Sequence, residues 1–288
     1  MRRALTPWAF LLPAMLMFAA YVVVPIGQSI LIGFYDWDGF SAPSWIGLAN
    51  YVELFADEKF YVSLRNNLVW LILYLLALPA GLALAIFLNQ TVAGIRIYKS
   101  LFFLPFVISQ VVVGLIFAWF YAPGFGPVAG AIHALTGVEI AILADERFAT
   151  FGIIAAGLWP QTAYCMILFL SGLNNINSEQ VEAARIDNAK GLSMLWHIIL
   201  PQLRPATFMA VVVTIIGSLR SFDMVSIMTG GGPYGSTRVL SFFMYEEALS
   251  EYGYRMGYGA AISVILFAIM MIFISIIIYR MLMQERVG

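Results

Sequence analysis

Residues 177–191 read NSEQVEAARIDNAKG, a polar stretch between two long apolar runs at about 149–173 and 205–228. Its ends carry helix signals. The side chain of Asn177 or Ser178 can cap the first orphan amides, and Glu179 and Glu182 sit where a helix N-terminus favours negative charge. Gly191 suits the C-terminal stop. A short second helix at about 192–199 leads to Pro201, and Pro205 opens the next apolar run. The stretch is therefore expected to be a helical knob outside the apolar layer. Ala183 and Ala184 permit close backbone approach, while Glu182, Arg185, Asp187 and Lys190 can fix register with a partner. An ordinary solvated connecting helix has the same signals, and on those signals alone it is the better reading.

Outward from the knob, the chain is apolar. Of 288 residues, 62% are hydrophobic and 11% charged, where a soluble domain has about a quarter charged. A membrane helix needs roughly 20 mostly apolar residues. Six such spans are expected, at about 8–33, 64–88, 100–121, 149–173, 205–228 and 259–281. Arg2 and Arg3 before the first run imitate a secretory signal. The run from Trp8 to about Phe34 is long for one and lacks a convincing cleavage site, so it reads as a retained helix.

The polar segments alternate in sign. Arg2, Arg3, Arg96, Lys99, Arg185, Lys190, Arg204, Arg280 and Arg286 fall on one side. The other side is acidic, with Asp36, Asp38, Glu53, Asp57, Glu58, Glu246, Glu247 and Glu251 among its charges, and carries aromatics such as Trp37, Trp45, Tyr234 and Tyr252. Cytoplasmic loops are those rich in Lys and Arg. Both termini and the 89–99 and 174–204 loops are thus expected in the cytoplasm, and segments 34–63, 122–148 and 229–258 outside. Two parts are expected: residues 1–63, an N-terminal helix with an outer segment, and a core of 64–288 carrying the 174–204 loop.

Composition also excludes functions. A net charge of −1 without a long basic patch gives no nucleic-acid signature. The single cysteine, Cys165, lies in an apolar run and reads as a small buried hydrophobe. No G-x-x-x-x-G-K-[ST] loop is present to cradle nucleotide phosphates. The glycine-rich segment 229–236 lacks the basic residue of such a loop. His133 and His197 stand far apart in sequence and make no metal motif.

Glu182-Ala183-Ala184, followed by Ile198, Leu200 and Pro201, resembles the EAA signature of binding-protein-dependent ABC importer permeases, the MetI-like transmembrane superfamily. Where that signature has glycine this chain has Asn188, a residue that tolerates left-handed backbone, so the bend is expected to survive. Phe222-Asp223, then Thr229-Gly230-Gly231-Gly232-Pro233 and Thr237, resemble the exit of the fifth span in the MalF-like carbohydrate permeases. So does Trp8-Ala9-Phe10-Leu11-Leu12-Pro13-Ala14 near the start. The likeness covers nearly the whole chain after residue 5. The large outer domain of the maltose permease has no counterpart, because segment 34–63 is short.

The resemblance implies an all-α membrane protein of six transmembrane helices with a cytoplasmic coupling-helix loop. It implies a bacterial or archaeal cytoplasmic membrane, a second related permease, a dimer of ATPase subunits and a periplasmic or lipid-anchored solute-binding protein. ATP and Mg²⁺ would sit on the ATPases, with no cofactor and no catalytic residue on this chain. The resemblance assigns ATPase coupling to Glu182, Ala183, Ala184, Asp187, Asn188 and Gly191, and carbohydrate, or another polyhydroxylated solute, as cargo. Polar groups within spans are costly and need a partner or a purpose. On that ground Gln110, Trp159, Gln161, Tyr164, Arg220 and Asp223 are the candidate substrate pathway, since amides, hydroxyls, charges and aromatic faces together suit a sugar. Arg220 and Asp223, three apart, share a helical face, so a mutual ion pair is the alternative. Gln110 and Gln161 can equally bond between helices.

Two rival functions remain at this level. A secondary carrier usually has more spans and internal repeats. A membrane enzyme needs a catalytic set near one membrane face, and the sparse histidines, single cysteine and scattered acids supply none.

Overall fold

The computed structural model describes residues 2–90, 92–250 and 253–285. Glu251, Tyr252 and Arg286, assigned above to opposite faces, lie outside the described residues. For Arg2, Arg3, Ala9 and Glu285 only the backbone is described.

The chain is mostly helical. Helix α1 (Arg2–Phe18) passes through a π turn (Ala19–Val23) into α2 (Val24–Ile32). Pro25 has no N–H to offer the carbonyl four residues back. The π turn before it shifts the ladder, and the Val24 N–H bonds the Ala19 carbonyl instead. The only strands among the described residues, β1 (Tyr35–Asp36) and β2 (Ser44–Trp45), pair antiparallel. Then come α3 (Ala49–Ala56), α4 (Glu58–Tyr74), α5 (Ala77–Leu88), α6 (Ile95–Val107), α7 (Gln110–Phe120), α8 (Pro127–Thr136) and α9 (Ala149–Asn174). Helix α10 (Ser178–Ile186) precedes α11 (Leu192–Met194), a second π turn (Leu195–Ile199) and α12 (Leu200–Gln202). The chain ends with α13 (Arg204–Leu219), α14 (Phe222–Met228), α15 (Leu240–Ala248) and α16 (Met256–Glu285).

Among the described residues, four helices are by length and composition able to cross a membrane: Phe10–Ile32, Glu58–Leu88, Ala149–Asn174 and Met256–Met283. Two bent pairs bring this to as many as six if each counts as one span. Ile95–Val107 meets Gln110–Phe120 at 97°, and Leu192–Gln202 meets Arg204–Leu219 at 77°.

The expected third span, 100–121, is therefore not one straight helix. Pro105 sits inside α6, Ile108 is extended, and Ser109 accepts the Val112 N–H at 3.4 Å as the N-cap of α7. A cap residue starts a new helix rather than continuing the old one. The expected fifth span, 205–228, breaks at Arg220–Ser221. There Ser218 Oγ donates to the Ile215 carbonyl and Ser221 Oγ donates to the Ser218 carbonyl, local bonds that compete with the helical ladder. The second span begins earlier than expected, at Glu58, and the sixth extends to Glu285.

Contacts divide the chain into two compact units: Met1–Tyr61 with Leu240–Ala268, and Val62–Val239 with Ile269–Gly288. In the first, Arg255 Nη2 donates to both Glu53 carboxylate oxygens at 2.7 Å, and Lys59 meets Glu247 at 3.1 Å. Tyr258 donates to Asp57 at 3.0 Å, and buried Asn50 donates to the Gly33 and Tyr35 carbonyls. The Arg255, Lys59 and Tyr258 bonds join segments about 190–200 positions apart in sequence.

In the second unit α5 lies along α9, and α6 and α13 flank α9. The buried centre includes Ala77, Ala85, Cys165, Met166, Phe169 and Ala210. In lipid, apolar burial between helices gains little, so close packing of small residues has to hold them. Gly81 shows how close. A Cβ there would stand 2.6 Å from Cys165 Cβ and 2.8 Å from the Met166 backbone nitrogen.

Candidate functional site

A cavity of about 380 Å³ opens within the second unit, between the end of α4, the start of α7, the middle of α9 and the α13–α14 break. Its polar lining is Tyr74, Gln110, Gln161, Tyr164, Arg220, Ser221 and Asp223, with the Ser221 hydroxyl already given to the Ser218 carbonyl. Five of the six pathway residues expected from sequence are brought together here. Trp159 is not. It lies tilted against Phe117 at 5.9 Å and borders a separate hollow with Phe102 and Pro105.

Each side chain is aimed by its element. Gln110 opens α7 directly after the Ser109 cap. Tyr164 stacks on Phe106, with ring centroids 4.7 Å apart. Gln161 is buried and donates to Thr214 Oγ1 at 2.9 Å, tying α9 to α13, while Cys165 Sγ lies 3.5 Å from the same hydroxyl. The helix-joining role weighed for Gln161 is thus realised, and its amide still borders the cavity. Tyr74 packs on Trp70, with its hydroxyl against Gly157, where no side chain could stand.

Arg220 and Asp223 do not share a helical face, because the helix ends between them. Arg220 closes α13 and Asp223 sits in the first turn of α14. Neither makes an ion pair or side-chain hydrogen bond with another described residue, and the same holds for the side chains of Gln110 and Tyr164 and the Tyr74 hydroxyl. The expected alternative of a mutual ion pair is therefore not formed. The reason is the break itself, which removes the i, i+3 register that would bring the two together.

The depth of Arg220 makes this costly. Helix α13 has 16 residues, so Arg220 stands about 24 Å from its start, inside a hydrocarbon layer of about 30 Å. That is about four-fifths of the way across, so the cost is some fraction of the about 3 kcal/mol that an arginine carries at the helix centre. Water or a polar ligand in the cavity, or another subunit, must offset it. One guanidinium, one carboxylate, two amides and two phenols give donors and acceptors in nearly balanced number, with no net charge.

Tyr74 was not singled out from sequence. The rule applied to the other spans, a hydroxyl inside an apolar run, would have found it. Thr214, which bonds Gln161, carries the same signal; Gly217, beside Gln161 Oε1, does not. Among the described residues no three His, Cys, Asp or Glu side chains group closely enough to hold a metal.

The knob at 177–202 also has defined geometry. Asn177 Oδ1 accepts the Glu179 N–H at 2.8 Å, capping α10. Helix α10 stops at Ile186, not at Gly191. Asn188 takes the left-handed conformation at φ 61°, with Asn188 N–H bonding the Arg185 carbonyl and Ala189 N–H the Ala184 carbonyl. These paired bonds are those of a Schellman end, so Asn188 serves as the stop. Gly191, φ 55°, instead starts the next helix. Ala184 is buried, while Glu182, Ala183 and Asp187 are exposed. Ile186 is 87% exposed, Leu192 72% and Trp196 64%, apolar groups on a largely polar surface. Gln202 Oε1 accepts the Asn177 N–H at 3.0 Å, fastening the knob to the foot of α13.

Residues 77–286 match the family described as "Binding-protein-dependent transport system inner membrane component". The chain belongs to that family. This inner membrane component is 36% identical over 263 residues to a protein of Pyrococcus horikoshii named "Probable ABC transporter permease protein", with 89% of each chain covered. It is 33% identical to a Streptococcus mutans protein named "Multiple sugar-binding transport system permease protein", covering 91% of this chain and 90% of that one. Its fold matches one chain in the crystal structure of a bacterial ABC transporter involved in import of the polysaccharide alginate, with a TM-score of 0.81. That match has 23% identity and covers 100% of this chain and 97% of the other. The permease is thus a multi-pass membrane protein and a transporter component.

Proposed function

We propose that this permease moves a sugar or related polyhydroxylated solute, delivered by a binding protein, into the cytoplasm of a bacterial or archaeal cell, driven by ATP. One observation carries the reading. The cavity gathers a cation, an anion, the Gln110 amide and the phenols of Tyr74 and Tyr164, none with a hydrogen-bond or ion-pair partner among the described residues, beside the Gln161 amide that Thr214 holds. Sugar hydroxyls donate to a carboxylate and accept from a guanidinium, and a stacked ring such as Tyr164 on Phe106 offers an apolar face. The balance of charges favours a neutral solute over an ionic one. The names of the relatives support a sugar-like cargo.

In this reading the chain pairs with a second related permease, two ATPase subunits and a periplasmic or lipid-anchored binding protein. ATP and Mg²⁺ sit on the ATPases, and this chain catalyses no reaction and binds no cofactor. Both termini and the knob face the cytoplasm, supported by the basic loops. Helix α10 is the docking handle, with Glu182, Ala183, Ala184, Asp187, Asn188 and Gly191 setting its surface and bend. The exposed Ile186 and the small Ala183 suit insertion into an ATPase cleft. The run Phe10–Ile32, exposed within this chain, is left for lipid or the second permease.

The test is uptake into proteoliposomes holding the full complex, with binding protein and ATP. A hydrogen bond to a charged group contributes about 1.5–3 kcal/mol. Arg220→Gln and Asp223→Asn should therefore each lower uptake by about tenfold or more, while Trp159→Leu, outside the cavity, leaves it near wild type. Wild-type uptake in both cavity variants would remove the cavity from the pathway. Uptake without ATP would point to a secondary carrier.

A further inference from the structure

A larger cavity, about 800 Å³, lies where α12, the start of α13 and the end of α16 meet. It shares no lining residue with the cavity of the proposed translocation site. Its walls are apolar, with Phe208, Val211, Ile277 and Met281, and its lining includes two exposed arginines, Arg204 and Arg280. Neither arginine has an ion pair or side-chain hydrogen bond to another described residue. Arginines near span ends often snorkel to the headgroups without any site. Here two helices remote in sequence direct both arginines to one apolar hollow, which snorkelling does not require.

We infer that this groove binds an anionic phospholipid, with its phosphate between Arg204 and Arg280 and an acyl chain along Phe208, Val211 and Ile277. Charge complementarity selects the head. The planar guanidinium fork matches phosphate geometry, and basic pockets between membrane helices suit anionic headgroups. The apolar wall selects the tail. A free phosphate would engage the arginines and leave the wall bare.

The assembled transporter, placed in nanodiscs of equal phosphatidylcholine and phosphatidylglycerol and released into native mass spectrometry, tests this. Wild type should retain phosphatidylglycerol in preference to phosphatidylcholine. The Arg204→Gln, Arg280→Gln double variant should lose about thirtyfold of that preference, the loss expected for two arginine–phosphate attractions. Arg204→Lys, Arg280→Lys should keep most of it. Equal retention of both lipids by wild type overturns the inference, without need of any variant. So does displacement of the retained lipid by inorganic phosphate, or a photo-crosslinker at Phe208 that labels a partner subunit and no lipid.

Discussion

Replacing Gly81 by alanine should weaken this protein although alanine is the better helix former. The new Cβ would stand 2.6 Å from Cys165 Cβ, where ordinary contact begins at 3.4 Å, so α5 and α9 would have to part by about 0.8 Å for carbon atoms to reach normal separation. The second clash, 2.8 Å to the Met166 backbone nitrogen, cannot be relieved by a rotamer change. Overpacking of this kind costs about 1–3 kcal/mol. Alanine returns about 0.5–1 kcal/mol of helix propensity, leaving a net loss of about 1 kcal/mol at the middle of both ranges. Gly130 on α8 is the control, since nothing lies within 4 Å of its would-be Cβ. There alanine should stabilise by about 0.5–1 kcal/mol. The assay is unfolding of the purified complex in detergent, by heat or added SDS, for wild type and both variants. Gly81→Ala as stable as wild type, or moving in the same direction as Gly130→Ala, would refute the tight α5–α9 contact.

Three other outcomes are expected. Glu182→Lys inverts a charge on the exposed face of α10 and should leave the complex assembled while transport and ATP hydrolysis come apart, read as uptake per ATP consumed; normal coupling counts against α10 as the docking handle. Asn188→Val places a β-branched residue at φ 61°, costing about 1–2 kcal/mol, whereas Asn188→Gly should be tolerated; the two are compared by proteolysis of the 177–202 segment, and equal cleavage would refute the strain. Asp38 accepts the Ser41 and Phe40 N–H groups and the Ser41 hydroxyl, which hold its carboxyl at about 2, below its ordinary 3.8. A depressed carboxylate stabilises above its unfolded value and loses that contribution as pH falls toward the folded one. The stability difference between wild type and Asp38→Asn should therefore be constant above about pH 5 and shrink below it; a difference unchanged down to pH 3 would contradict the three bonds.

Much was settled by sequence alone, because the governing rules are short in range. Apolar runs longer than a bilayer is thick fix the membrane class whatever their neighbours are. Asn177 caps α10 because its side chain reaches an amide two residues on, and Asn188 keeps its bend because the left-handed preference belongs to the residue itself. Only the tertiary structure decided the rest. Pro105 and Ser109 are compatible with a straight, kinked or broken helix, and packing chose the 97° bend. Gly191 read as the helix stop and Asn188 as a bend, and the paired bonds from Asn188 and Ala189 made Asn188 the stop. Arg220 and Asp223 read as sharing one face of a continuous helix, lining the pathway or pairing with each other. The break between them separates the charges and turns both toward one cavity, together with Tyr74 and Gln161 from other helices, while Trp159 faces elsewhere. Which polar groups inside a bilayer satisfy each other, and which are left for a ligand, depends on distances between helices, and no local pattern encodes those.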